Sequence, residues 1–142
     1  MNALALAPFR TLSGYAATVL RVVLGIIFIA HGKAKLDGGI DGTAGFFGSL
    51  NIPMPEFMAW VITILEIGGG ILLIIGLATR IMALLFALEM IGTNLLVKVD
   101  MGLIAQGGAG AELDLAMLAG SLAILFLGPG KLAVDNKIGL GP

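Results

Sequence analysis

Arg21, Glu66 and Glu89 each stand inside a long apolar run of this chain. Burying such a group in hydrocarbon costs about 2.5–3.5 kcal/mol on insertion scales, so each needs a partner or a use. At about 1.5 Å per residue, Arg21 lies roughly 9 Å into its run, and both carboxylates lie roughly 5 Å deeper, near mid-run. An arginine side chain covers that difference, so the depths predict a buried Arg21–Glu66–Glu89 cluster. Two carboxylates against one guanidinium leave one negative charge over, and low dielectric favours a proton on the spare carboxyl. Glu66 is the better partner for Arg21, which makes Glu89 the neutral acid. Such a cluster suits proton exchange with a redox carrier or a relay. The plain alternative is an ion pair that sets helix register and does no chemistry.

A second polar group gathers where the runs end on one side. It comprises His31, Lys33, Lys35, Glu56, Lys98, Asp100, Glu112 and Asp114. Span ends are normally charged, and most of these residues read as solvated ends. His31, the one histidine, is different: an imidazole can change charge near neutral pH, and it can hydrogen-bond a quinone carbonyl or a neighbouring carboxylate. Trp60 reads as an interfacial anchor. The seven methionines read as packing residues, since they form no line that a soft metal would follow.

Four apolar runs must position these groups: about residues 15–32, 57–77, 81–97 and 113–128. Each is long enough to cross about 30 Å of hydrocarbon, and each must be helical, because lipid leaves no partner for free backbone groups. The expected architecture is all-α: a single integral membrane domain, 1–142, built as a four-helix bundle. The first run resembles a signal peptide but carries Arg21 and ends at His31-Gly32-Lys33 instead of a small-residue cleavage site, so it reads as an uncleaved span. Ala78-Thr79-Arg80 forces a tight hairpin between the second and third spans. Between the first and second, Thr43–Leu50 has the length and apolar content of a short interfacial helix, a lid over one mouth of the bundle. Residues 98 to 111 read as a flexible Gly-rich loop. Gly25 and Gly32, and likewise Gly69 and Gly76, are seven apart, a spacing that keeps small residues on one seam of a helix pair. Four spans put both termini on one side, with Arg10, Arg80, Lys131 and Lys137 against Lys33, Lys35 and Lys98 on the other. That excess favours cytoplasmic termini.

Composition sets the outer limits. The hydrophobic share of the 142 residues is 58% and the charged share only 12%, with a mean hydropathy of +1.08. A soluble domain needs about 25% charged residues to build its surface, so a soluble monomer is excluded. A formal charge of -1 leaves no basic patch for nucleic acid. With no cysteine, the chain has no disulfide, thiolate nucleophile or Cys-ligated cluster, and one histidine makes no metal site alone. Gly68-Gly69-Gly70 falls inside a span and is no phosphate loop.

Several motifs in order resemble the DoxX family of small four-helix bacterial membrane proteins, over about residues 18 to 136. Leu20-Arg21 through Gly25, His31-Gly32-Lys33-Ala34-Lys35-Leu36 resembles the family's opening. Glu66-Ile67-Gly68-Gly69 followed by Gly76-Leu77-Ala78-Thr79-Arg80 resembles its hairpin. Ala111-Glu112-Leu113-Asp114 resembles the start of its fourth span, and Gly128-Pro129-Gly130 its ending. The resemblance implies kinship with the membrane subunit of archaeal thiosulfate:quinone oxidoreductase and a redox-associated role in the bacterial inner membrane, without establishing catalysis. Asp114 departs from the asparagine common there, and Glu89 from a span that is usually uncharged.

Three functions stay open. The first is a subunit of a redox membrane complex, quinone-linked or acting in oxidative stress, with Arg21, Glu66, Glu89 and His31 near a lipid quinone and no covalent cofactor or metal. The second is a non-catalytic assembly subunit of a larger respiratory or photosynthetic complex, binding protein partners. The third is a small transporter or proton pathway.

Overall fold

The computed structural model describes residues 7–107 and 110–141, so residues 108 and 109 of the Gly-rich loop lie outside the described residues. Among the described residues every regular element is helical. A 3-10 turn, Ala7–Tyr15, leads into α1, Ala16–Asp37. This helix runs five residues past the predicted end of the first span. Lys33 pairs with Asp37 one turn on, and basic residues in a last helical turn complement the backbone dipole. Gly39, with φ +85°, then turns the chain into α2, Ile40–Ser49.

The next helix, α3, spans Pro55–Ile75. Pro55 occupies its first turn, with Glu56 beside it, where a missing N–H and a negative charge both suit a helix start. Gly76 ends it at φ +72° and Ala78 turns at φ +51°, so α4, Thr79–Leu96, folds straight back. Ala111–Leu127 forms α5, and a final turn, α6, is Val134–Lys137. Helix α1 packs on α3 and α5, and α4 packs on the same two. Helix α2 lies against the first half of α3 and touches α1.

Three segments are long and apolar enough to cross a membrane: Phe9–Asp37, Pro55–Ile75 and Thr79–Leu96. The fourth predicted span appears as the 17-residue α5. Outward residues such as Val19, Ile26, Ile64, Ile71, Ile81 and Leu88 are exposed and apolar, a surface that only lipid solvates without cost.

Inside, Phe28 of α1 stacks on Phe86 of α4, ring centroids 3.6 Å apart. Leu24, Leu73, Ala83, Met90, Met117 and Ile124 close the core around them. Backbone contact between α1 and α3 sets the register. A Cβ at Gly25 would lie 2.6 Å from the Gly70 carbonyl, and one at Gly70 would lie 2.7 Å from the Gly25 carbonyl. Gly25 and Gly32 both face α3, as their spacing predicts, but the partner seam is not Gly69 and Gly76. Gly69 faces Phe86 and Met82 of α4, and Gly76 faces Ala133 and the Arg21 guanidinium. The small residue that meets the α1 backbone is Gly70, the third of the glycine triplet.

At the end of the molecule that holds α6, the Arg21 guanidinium is 1% exposed, and it gives every N–H to a carbonyl. Nε donates to Pro129 O at 2.9 Å, Nη1 to Leu73 O at 2.9 Å and to Ile74 O, and Nη2 to Lys131 O at 3.2 Å and Leu132 O at 2.6 Å. Leu73 and Ile74 end α3, where carbonyls lose their intrahelical partners. Asp135 completes the junction by accepting from Ala78 N–H at 2.7 Å and Thr79 N–H at 2.8 Å, which caps the start of α4. Burial pushes the Asp135 carboxyl up, but the Thr79 and Ala78 donors and the Arg21 charge outweigh it and hold the group below its ordinary value.

Two predictions follow the packing. Gly25→Leu drives a side chain into the Gly70 backbone and should cost at least about 1–3 kcal/mol, read as loss of resistance to thermal unfolding in detergent. Gly68→Ala, which meets nothing within 4 Å, should be tolerated in the same assay. Asp135→Ala should lose about 0.5–2 kcal/mol at neutral pH. A carboxylate with a depressed folded pKa stabilises above the unfolded value of about 3.9 and loses that as pH falls through the folded one. The gap between wild type and Asp135→Ala should therefore close below about pH 4; a gap constant down to pH 2 contradicts the cap.

Candidate functional site

Antiparallel register from the Gly25–Gly70 contact puts Arg21 opposite Leu73 and Ile74 and carries the other end of α1 to Glu66. A Cβ at Gly32 would lie 3.0 Å from the Glu66 Cβ. One turn further, Lys35 Nζ donates to both Glu66 oxygens at 2.7 Å. The predicted Arg21–Glu66 pair is therefore not formed. Depth arithmetic treated side chains as the sole partners available to a buried guanidinium. The carbonyls freed at the α3 terminus are nearer, and the partial negative charge of a helix C-terminus suits a cation.

Glu66 is 3% exposed and sits in a π-helical stretch, Leu65–Gly69, inside α3. A wide turn of this kind adds a residue to the helix and re-aims its side chains, and it recurs at functional sites. Glycines 68 to 70 make room for it. Glu89 of α4 lines the same cavity as Glu66, so the two predicted acids do share one space. Asp114, in the first turn of α5, is 7% exposed and faces the same space. Asp114 Oδ2 and Glu89 Oε2 are buried and receive no protein donor among the described residues.

These groups form the floor of a cavity of about 840 Å³, within the usual range for a small-molecule site. His31 and Lys35 line it from α1, Glu66 from α3, Glu89 from α4 and Asp114 from α5. The walls are apolar: Phe46 and Phe47 of α2, Met58 and Ile62 of α3, and Met117 of α5 are among them. Helix α2, the predicted interfacial lid, thus supplies two aromatic rings to the roof. Gly92 of α4 borders the cavity, and a Cβ there would meet nothing within 4 Å.

The outer polar group divides in two. His31, Lys35 and Asp114 face the cavity. Lys33 is spent on its exposed pair with Asp37, and Glu112 is exposed on the first turn of α5. Reading the sequence placed Lys35 among the solvated ends and missed it as the partner of Glu66. One signal was available: Lys35 stands four residues after His31, on the same helix face. Among the described residues no group of three His, Asp or Glu side chains is arranged to hold a metal ion.

Fold and cavity together define an all-helical membrane protein with a polar-floored pocket between its helices. The chain belongs to the DoxX family, whose model matches residues 16–99. It is 44% identical over 117 residues to the Bacillus subtilis protein named "Putative oxidoreductase CatD", covering 82% of each chain. It is 27% identical over 141 residues to the Escherichia coli inner membrane protein YphA, covering 96% of this chain and 100% of the relative. Inner membrane protein YqjF of the same organism is 28% identical over 131 residues, covering 91% and 96%. No solved structure matches the chain significantly.

Double-mutant cycles test the charge assignment. Lys35→Met and Glu66→Gln should couple by about 0.5–3 kcal/mol in unfolding stability, whereas Arg21→Met and Glu66→Gln, with Arg21 meeting α3 at Leu73 and Ile74 instead, should add to within about 0.5 kcal/mol. Strong coupling in the second cycle would restore the Arg21–Glu66 pair.

Proposed function

We propose that this protein is a redox-associated subunit of the bacterial inner membrane whose cavity takes the ring of a lipid quinone. The observation that carries this reading is the cavity itself: apolar walls that suit a quinone ring and its isoprenoid tail end on carboxyl groups that suit the ring's polar oxygens. Phe46, Leu88 and Leu96 line the cavity and are also exposed on the apolar outer surface, so its rim faces lipid, where a quinone resides. Glu66, Glu89 and Asp114 supply places to hold protons near the ring, and the His31 imidazole adds a further hydrogen-bonding group. We further infer that α5 crosses the bilayer as the fourth member of the bundle. Arg10, Arg80, Lys131 and Lys137 on the terminal side, against Lys33, Lys35 and Lys98 on the other, then favour cytoplasmic termini by one charge. The name of the Bacillus subtilis relative, an oxidoreductase, is consistent with this role.

A second reading, assembly subunit of a larger complex, draws on a different observation. Val99, Met101, Leu103 and Ile104 leave a loop apolar and exposed, as a surface that meets a protein neighbour would be.

Gly92→Phe separates the two. It fills the cavity from a position where the missing Cβ has open space, and should fold normally. In the quinone reading it lowers retention of a short-tail benzoquinone by the protein in nanodiscs at least about 10-fold, one tenfold step corresponding to about 1.4 kcal/mol. Unchanged retention, with protein partners co-purifying from gently solubilised membranes, would favour the assembly reading.

A further inference from the structure

We infer that the cavity selects the reduced, dihydroxy form of its ring over the dione; the inference rests on the quinone reading above. It follows from a count of donors and acceptors at the floor. Lys35 Nζ is already committed to both oxygens of Glu66. Two buried oxygens, Asp114 Oδ2 and Glu89 Oε2, receive no donor among the described residues, and Asp114 is more than nine-tenths buried. What these two oxygens lack is an O–H or N–H donor, and a ligand can supply it. Leaving a buried acceptor unmet costs the desolvation of that group, more when it is charged. A dione carries acceptors alone and sets carbonyl oxygens against carboxyl oxygens. A diol carries two O–H donors and can meet both.

Charge points the same way. Formally the floor holds Glu66, Glu89 and Asp114 against Lys35. That is three carboxyls against one ammonium, an excess of negative charge at the floor. A neutral ring that donates hydrogen bonds to a carboxylate relieves this without bringing further charge into the membrane. Binding alone is proposed: each ring O–H donates to a carboxyl oxygen, and no bond is broken. Sites built to hydrogen-bond a hydroxyl discriminate strongly against analogues that lack it, because the protein's own polar group is then left unpaired.

The test uses the full chain in nanodiscs under anaerobic conditions, titrated calorimetrically with three probes of one short-tail ring: the hydroquinone, the benzoquinone and the hydroquinone dimethyl ether. The ether keeps the shape and removes both donors. The hydroquinone should bind at least about 10-fold more tightly than either of the others, a difference of about 1.4 kcal/mol. Asp114→Asn replaces an acceptor by a donor and should shrink that preference or invert it towards the benzoquinone. Glu89→Gln makes the same exchange at the second oxygen and serves if Asp114→Asn does not fold. Equal or tighter binding of the benzoquinone by the wild type would overturn the selectivity while leaving the quinone reading intact. Failure of all three probes to bind would overturn both.

Discussion

A guanidinium buried in an apolar interior must have its five N–H groups met, and the Arg21 network does this with carbonyls from two distant stretches of chain. The contacts reach the last carbonyls of α3 and those of Pro129, Lys131 and Leu132; Leu73 O also accepts from Gly76 N–H and Lys131 O from the Thr18 hydroxyl. The end of α3 and the chain beyond α5 are thereby tied to one point on α1. Asp135 lies on the segment this fixes and caps α4. Gly128 and Gly130, at φ +84° and +68°, let the chain turn tightly enough to present the Pro129 carbonyl. Removing Arg21 would leave several buried acceptors unmet at once, which is dearer than losing the same number of exposed contacts.

Fixing that end of α1 determines what happens at the other. Lys35 stands fourteen residues beyond Arg21, about 21 Å along the helix at about 1.5 Å per residue. The Gly25–Gly70 contact transmits the register between them, because two backbones in van der Waals contact leave little freedom to slide. The family-like motifs therefore divide by task. Arg21, the Gly76–Arg80 turn and the Gly128–Pro129–Gly130 turn build a junction. His31, Lys35, Glu66 and Asp114 face the cavity.

The cavity owes its character to the elements that line it. Phe28 and Phe86 stack between α1 and α4 in the core, while α2 contributes Phe46 and Phe47 to the cavity lining. Polar floor and apolar wall come from different elements, so a ligand placed there touches carboxyls at one end and rings and methionines at the other. Low dielectric strengthens each hydrogen bond made at the floor and raises the cost of each one missing.

Membrane class, all-helical structure and the importance of Arg21, Glu66 and Glu89 were legible in the sequence, because a charge in an apolar run is costly wherever the helix points. The hairpin at Ala78-Thr79-Arg80 was legible for the same kind of local reason: so short a connection admits one topology. Which charges meet was not legible. Depth along a span leaves rotation and register free, and it ignores carbonyls at helix ends, so Arg21 was matched to the wrong acid and Lys35 overlooked. The π-helical stretch around Glu66 also escaped, since a glycine triplet permits such a turn without requiring it. Only the packed helices decide these things: a backbone contact at Gly25 and Gly70 fixes the register of α1 on α3, and that register selects every charge partner along them.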